Sequence, residues 1–111
     1  MTIRFEAIDP FGRSIFCTEE RWTQHILYNR HWDAEDHWES SVTAAIETPT
    51  FIFKDSLYDD RICYYHRPPG TSSYMKVVVQ IISDHVGEIS TAMQTNAGKK
   101  GETLIWPTSK S

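Results

Sequence analysis

A chain of 111 residues with 40% hydrophobic and 13% aromatic content is long enough for one packed core and too short for two. Its formal charge of −4 excludes nucleic-acid binding driven by bulk positive charge, and no apolar run is long enough to cross a membrane as a helix. Cys17 and Cys63 are the only cysteines and form no CxxC, which excludes a disulfide scaffold and points to free thiols.

The opening MTIRFEAIDP lacks the basic-then-apolar profile of a signal peptide, so a cytoplasmic protein is expected. Within it, Ile3–Ile8 alternates with period two, as a strand does. Asp9-Pro10-Phe11-Gly12 is a turn signal, and Ser14–Cys17 returns as the second arm of a hairpin. Thr18 is placed to N-cap a first helix, with Glu19 and Glu20 where the helix dipole favours negative charge. Trp22 and Ile26 form its buried stripe, and it is expected to fray near Asn29. A second helix is predicted from Asp36 to Glu47, because Trp38, Val42, Ala45 and Ile46 recur at helical spacing and Pro49 stops it. Strands follow at Thr50–Lys54 and Arg61–His66, separated by a polar loop. RPPGTSS is a loop by composition. Tyr74–Ile82 is the strongest strand, and its Val77-Val78-Val79 predicts a central position covered on both faces. Gly87–Gln94 pairs with it, and Leu104–Trp106 adds a short last strand. The expected architecture is α+β: an N-terminal hairpin and two helices packed on a four- to five-stranded antiparallel sheet, with residues 1–111 as one domain.

No GxSxG, P-loop or GxGxxG is present, which removes the common hydrolase and nucleotide-binding readings. His25 borders the buried stripe, about 60° around the helix from Trp22, and His31 sits where the helix should end. An imidazole there is either a general acid or base, or a helix-edge residue that packs. His31-Trp32 and His37-Trp38, with Asp33, Glu35 and Asp36 between them, invite a metal-site reading. Their spacing matches no helical ligand pair, so a charged loop anchored by two tryptophans is preferred and no metal or cofactor is expected. Lys76 interrupts an apolar strand, and Ser90 and Thr91 interrupt its expected neighbour. Together they could bind a phosphate. Alternatively, Lys76 reaches outward and Thr91 is a good strand former.

FGRSIFCTEERWTQHIL, then His31, IETPTFIF, ICYY, YMKVVVQ, STAMQT and KKGETLIW follow one another along nearly the whole chain. In this order they resemble the small phage-type branch of the barnase, EndoU, colicin and RelE (BECR) nuclease fold. That branch has a second histidine followed by Pro-Glu, where this chain has His31-Trp32-Asp33. The resemblance implies a metal-independent endoribonuclease that leaves a cyclic phosphate, acts on RNA (tRNA included) and is held by an antitoxin or immunity protein. It assigns His25 and His31 as the acid–base pair, Lys76 as the phosphate cation, and Thr91, with Ser90, as phosphate or base contacts. Tyr65 and Arg67 would stack on or clamp the nucleic acid. The alternative is a catalytically inactive relative that binds protein or RNA.

Overall fold

A computed structural model describes residues 2–29, 35–68, 70, 73–96 and 102–107. The elements are β1 (Ile3–Ile8), β2 (Ser14–Thr18), α1 (Glu19–Gln24), a 3₁₀ turn (Ile26–Asn29), α2 (Glu35–Glu47), β3 (Phe51–Lys54), β4 (Arg61–His66), β5 (Tyr74–Ser83), β6 (Val86–Thr95) and β7 (Thr103–Trp106). All seven strands belong to one sheet in the order β1-β2-β6-β5-β4-β3-β7. The fold is α+β, but the sheet corrects the expected four to five antiparallel strands: it has seven, and β2 runs parallel to β6. The hairpin of β1 and β2 extends the main sheet because Ala7, Ile15 and Cys17 carry apolar surface that only the common core can cover. Gly87 permits the parallel join. A Cβ there would come within 2.8 Å of Val79 Cγ1 and 3.0 Å of Ile15 Cδ1.

One face of the sheet is covered by the helices. Thr18 Oγ1 accepts from the Arg21 amide at 3.0 Å, which starts α1 as its sequence requires. Trp22, Ile26, Trp38, Val42, Ala45 and Ile46 are all fully buried and pack over Ile52, Tyr64, Val77, Val79, Ile89 and Ala92. Helix α1 is shorter than its sequence suggests: it closes at His25, and the chain tightens into the 3₁₀ turn before Asn29. The polar anchor of this face is Asp9. Its carboxylate accepts from the Phe11 and Arg13 amides, from Arg13 Nε and, at 2.6 Å, from the Tyr64 hydroxyl. It closes the first hairpin and ties it to β4. Burial, helped by this hydrogen bond, pushes the Tyr64 hydroxyl pKa up.

Register fixes what the opposite face presents. Thr91, Val78, Cys63 and Phe53 are successive cross-strand partners, and Met93, Lys76, Tyr65 and Phe51 form the next row. Cys63, Tyr65 and Val78 are buried there under Phe51, Phe53 and Tyr74. β5 is the fourth of seven strands, and its valines are covered on both sides as expected. Among the described residues no helix is long and apolar enough to cross a membrane.

Trp38 is the largest side chain that α2 contributes to the core, and among the described residues its buried Nε1 has no hydrogen-bond partner. Its value is therefore packing, and Trp38→Ala should cost about 3–5 kcal/mol in a denaturant titration. A loss under about 1 kcal/mol would contradict the burial described.

Candidate functional site

His25 occupies the residue at which α1 stops, and its ring is exposed. β2 and β6 are partners only from Ser14–Phe16 against Val86–Glu88, so beyond that point the side of β6 is free of β2. The 3₁₀ turn and the end of α1 pack beside β6 there. Across this junction His25 Nε2 meets Thr91 Oγ1 at 3.1 Å, joining residues 66 positions apart. Thr91 is aimed by a bulge in β6: Val78 faces Thr91 while Val79 faces Ile89, so Ser90 is the extra residue.

Arg21 precedes His25 by one helical turn, and the two line one cavity of about 260 Å³ with Glu20 and Gln24. Sequence reasoning missed Arg21, although the i, i+4 spacing with His25 would have shown that they share a helix face. A neighbouring cavity of about 450 Å³ is lined by Thr2, Thr18, Glu19, Glu20, Arg21 and Glu88. Three carboxylates around one guanidinium suit a phosphate poorly, so the smaller cavity is the better candidate.

Lys76 does not reach the His25–Thr91 contact. It is buried, and its ammonium donates at 2.9 Å to Glu102 Oε2, while the Tyr65 hydroxyl donates at 2.6 Å to Glu102 Oε1. Of the two readings drawn from sequence, the outward-reaching lysine is corrected by this burial, and the lysine expected at a phosphate has Glu102 as its partner. Thr91 and Lys76 lie one diagonal step apart on adjacent strands, a separation of roughly 7–8 Å. Burial pulls the lysine pKa down, but the hydrogen bonds to Glu102 and Tyr65 outweigh it and the net shift is upward. Burial, reinforced by Glu102, pushes the Tyr65 hydroxyl up to about 12. Arg67 is exposed, with its guanidinium 5.8 Å from the Tyr74 ring centroid. His31 lies outside the described residues, as does the His31-Trp32-Asp33 run of the histidine–tryptophan reading. His37 is exposed on α2.

Among the described residues one group of metal-ligand types converges: Asp55, Cys63 and Glu102 offer atoms within 4.8 Å of one another. Each is otherwise engaged. Asp55 Oδ2 accepts from the Leu57 and Tyr58 amides, and Glu102 holds Lys76 and Tyr65. Burial holds the Cys63 thiol up at about 12, so at neutral pH it is a thiol rather than a thiolate ligand. A metal would have to displace the lysine and deprotonate the thiol together. Cys17 is likewise buried, with its pKa pushed up to about 12, so burial disfavours the thiolate at both cysteines.

The Tyr65 shift has a signed consequence. An unfolded tyrosine titrates near pH 10, so the stability this raised group contributes is complete below about pH 10 and is lost as pH rises through about 12. Tyr65→Phe should therefore melt below wild type at about pH 8, and the gap should narrow by about pH 11. A gap that widens with pH would contradict the hydrogen bond to Glu102. No family model, no curated protein and no solved structure matches the chain.

Proposed function

We propose that the chain is a metal-independent endoribonuclease domain acting in the cytoplasm, with RNA, tRNA included, as its substrate and an antitoxin or immunity protein as its restraint. The observation that carries this reading is the 3.1 Å contact between His25 Nε2 and Thr91 Oγ1. It joins two residues singled out separately, one for an imidazole at a helix edge and one for a hydroxyl in an apolar strand. In the reaction the 2′-oxygen bonds to phosphorus as the bond from phosphorus to the 5′-oxygen breaks, leaving a cyclic phosphate. A base must take the 2′-proton, and an acid must give one to the departing 5′-oxygen. The exposed imidazole of His25 suits either role, and the Thr91 hydroxyl sets its orientation. Arg21, lining the same cavity, adds positive charge where the phosphate becomes more negative. None of these steps asks for a metal.

A second reading, a catalytically inactive relative that binds protein or RNA, is favoured by one observation. The lysine expected at the phosphate already has its counter-charge in Glu102.

Purified protein incubated with total RNA in excess EDTA should yield fragments ending in a cyclic or 3′-phosphate. His25→Ala should lower the rate on the order of 10²-fold, with an unchanged melting temperature because the ring is exposed. Cleavage that survives His25→Ala, or that EDTA abolishes and zinc restores, defeats the nuclease reading as drawn. RNA left intact by the wild-type protein selects the binding module.

A further inference from the structure

The sheet face away from the helices contains a cation whose counter-ion is supplied by the chain itself. Lys76 Nζ and the Tyr65 hydroxyl donate to different oxygens of one carboxylate, at 2.9 Å to Glu102 Oε2 and 2.6 Å to Glu102 Oε1. The side chains of Lys76 and Glu102 are only 10% and 1% exposed. Two donors converging on two oxygens of one anion is the arrangement that also recognises a phosphate, whose oxygen pair satisfies the same donors. We propose that Lys76 and Tyr65 form a phosphate-binding seat that Glu102 occupies from within, so that the chain carries its own competitor for the ligand.

The two sides of this contact are held unequally. Lys76 and Tyr65 are direct cross-strand partners on β5 and β4, each of which has a neighbour on both sides. Glu102 stands just before β7, a four-residue edge strand. Among the described residues β7 pairs with β3 alone, and the register breaks between Ile52 and Phe53. Short edge strands open at lower cost than central ones, so Glu102 is the member that can leave. Once it leaves, the buried ammonium loses its direct counter-ion, and the Asp55 carboxylate nearby is already engaged with the Leu57 and Tyr58 amides, so uptake of another anion is favoured.

The surroundings indicate which phosphate fits. Lys76 Nζ lies 5.4 Å from the Tyr65 ring centroid, and Tyr65 packs edge-on against Tyr74 at 6.0 Å. Arg67 adds a second cation over Tyr74. Aromatic rings and a guanidinium beside an anion seat suit a phosphate within a nucleic-acid strand, whose bases can stack there. The choice of a nucleic-acid strand rests on the function proposed above, whereas the seat itself does not.

Inorganic phosphate titrated into wild type and Glu102→Gln tests the seat without RNA. The readouts are the Lys76 Nζ resonance by NMR and the melting temperature. Glu102→Gln should bind phosphate on the order of ten-fold more tightly than wild type, with a rising melting temperature, because ligand binding stabilises the native state. The double variant Lys76→Met/Glu102→Gln should lose that response. Should Glu102→Gln be unfolded alone, phosphate must restore its fold by the same mass action. A folded Glu102→Gln protein indifferent to phosphate overturns the proposal, as does an unfolded one that phosphate does not restore. RNA cleavage enters none of these readouts, so the seat and the nuclease reading can fail independently.

Discussion

The structure depends on the antiparallel pair β4–β5 being buried on both faces. Tyr64, Val77 and Val79 face the helices, and Cys63, Tyr65, Lys76 and Val78 face the other way, yet all seven are buried. A strand pair in that position needs a cover on each side and a hydrogen-bonding neighbour at each edge. The helices supply one cover through Trp22, Ile26, Trp38 and Ile46. Aromatic rings and a carboxylate supply the other, which is why a lysine can lie within it.

Two buried polar networks are each built around one carboxylate. Asp9 gathers amides, a guanidinium and the Tyr64 hydroxyl at the first hairpin, and Glu102 gathers Lys76 and the Tyr65 hydroxyl on the far face. Tyr64 and Tyr65 are adjacent in β4 and point to opposite faces, so one strand carries a donor to each carboxylate. Truncating one partner of such a network leaves the other buried without compensation, so each is a point of high sensitivity. The His25–Thr91 contact is of another kind: His25 is exposed and Thr91 half-buried, and the contact arises where β2 leaves the side of β6 and a bulge turns Thr91 toward the gap. The imidazole of that contact faces solvent, whereas the Asp9 and Glu102 carboxylates are enclosed by the protein.

Much of the fold was legible. Period two in Ile3–Ile8 and the apolar run at Tyr74–Ile82 marked β1 and β5, and helical spacing of Trp38, Val42, Ala45 and Ile46 marked α2 with its buried stripe. Lys76, Ser90 and Thr91 stood out because polar residues in apolar strands need partners. The partner of Lys76 was not legible, since Glu102 is 26 residues away beyond a different strand. Nor was the end of α1 at His25, because the residues around it have ordinary helix propensity and the stop is set by what Ile26 and His25 meet across the chain.

The sequence by itself determined the local elements, the faces they bury and the residue types available for chemistry, because periodicity and capping act between residues a few positions apart. Tertiary structure alone decided that β2 lies parallel to β6, that seven strands close into one sheet, that Ser90 makes a bulge and that Lys76 is neutralised. Backbone hydrogen bonds between distant strands leave no mark on the side chains that sequence records. A buried charge likewise announces that it needs a partner without naming it, and only the folded chain brings Glu102 to Lys76.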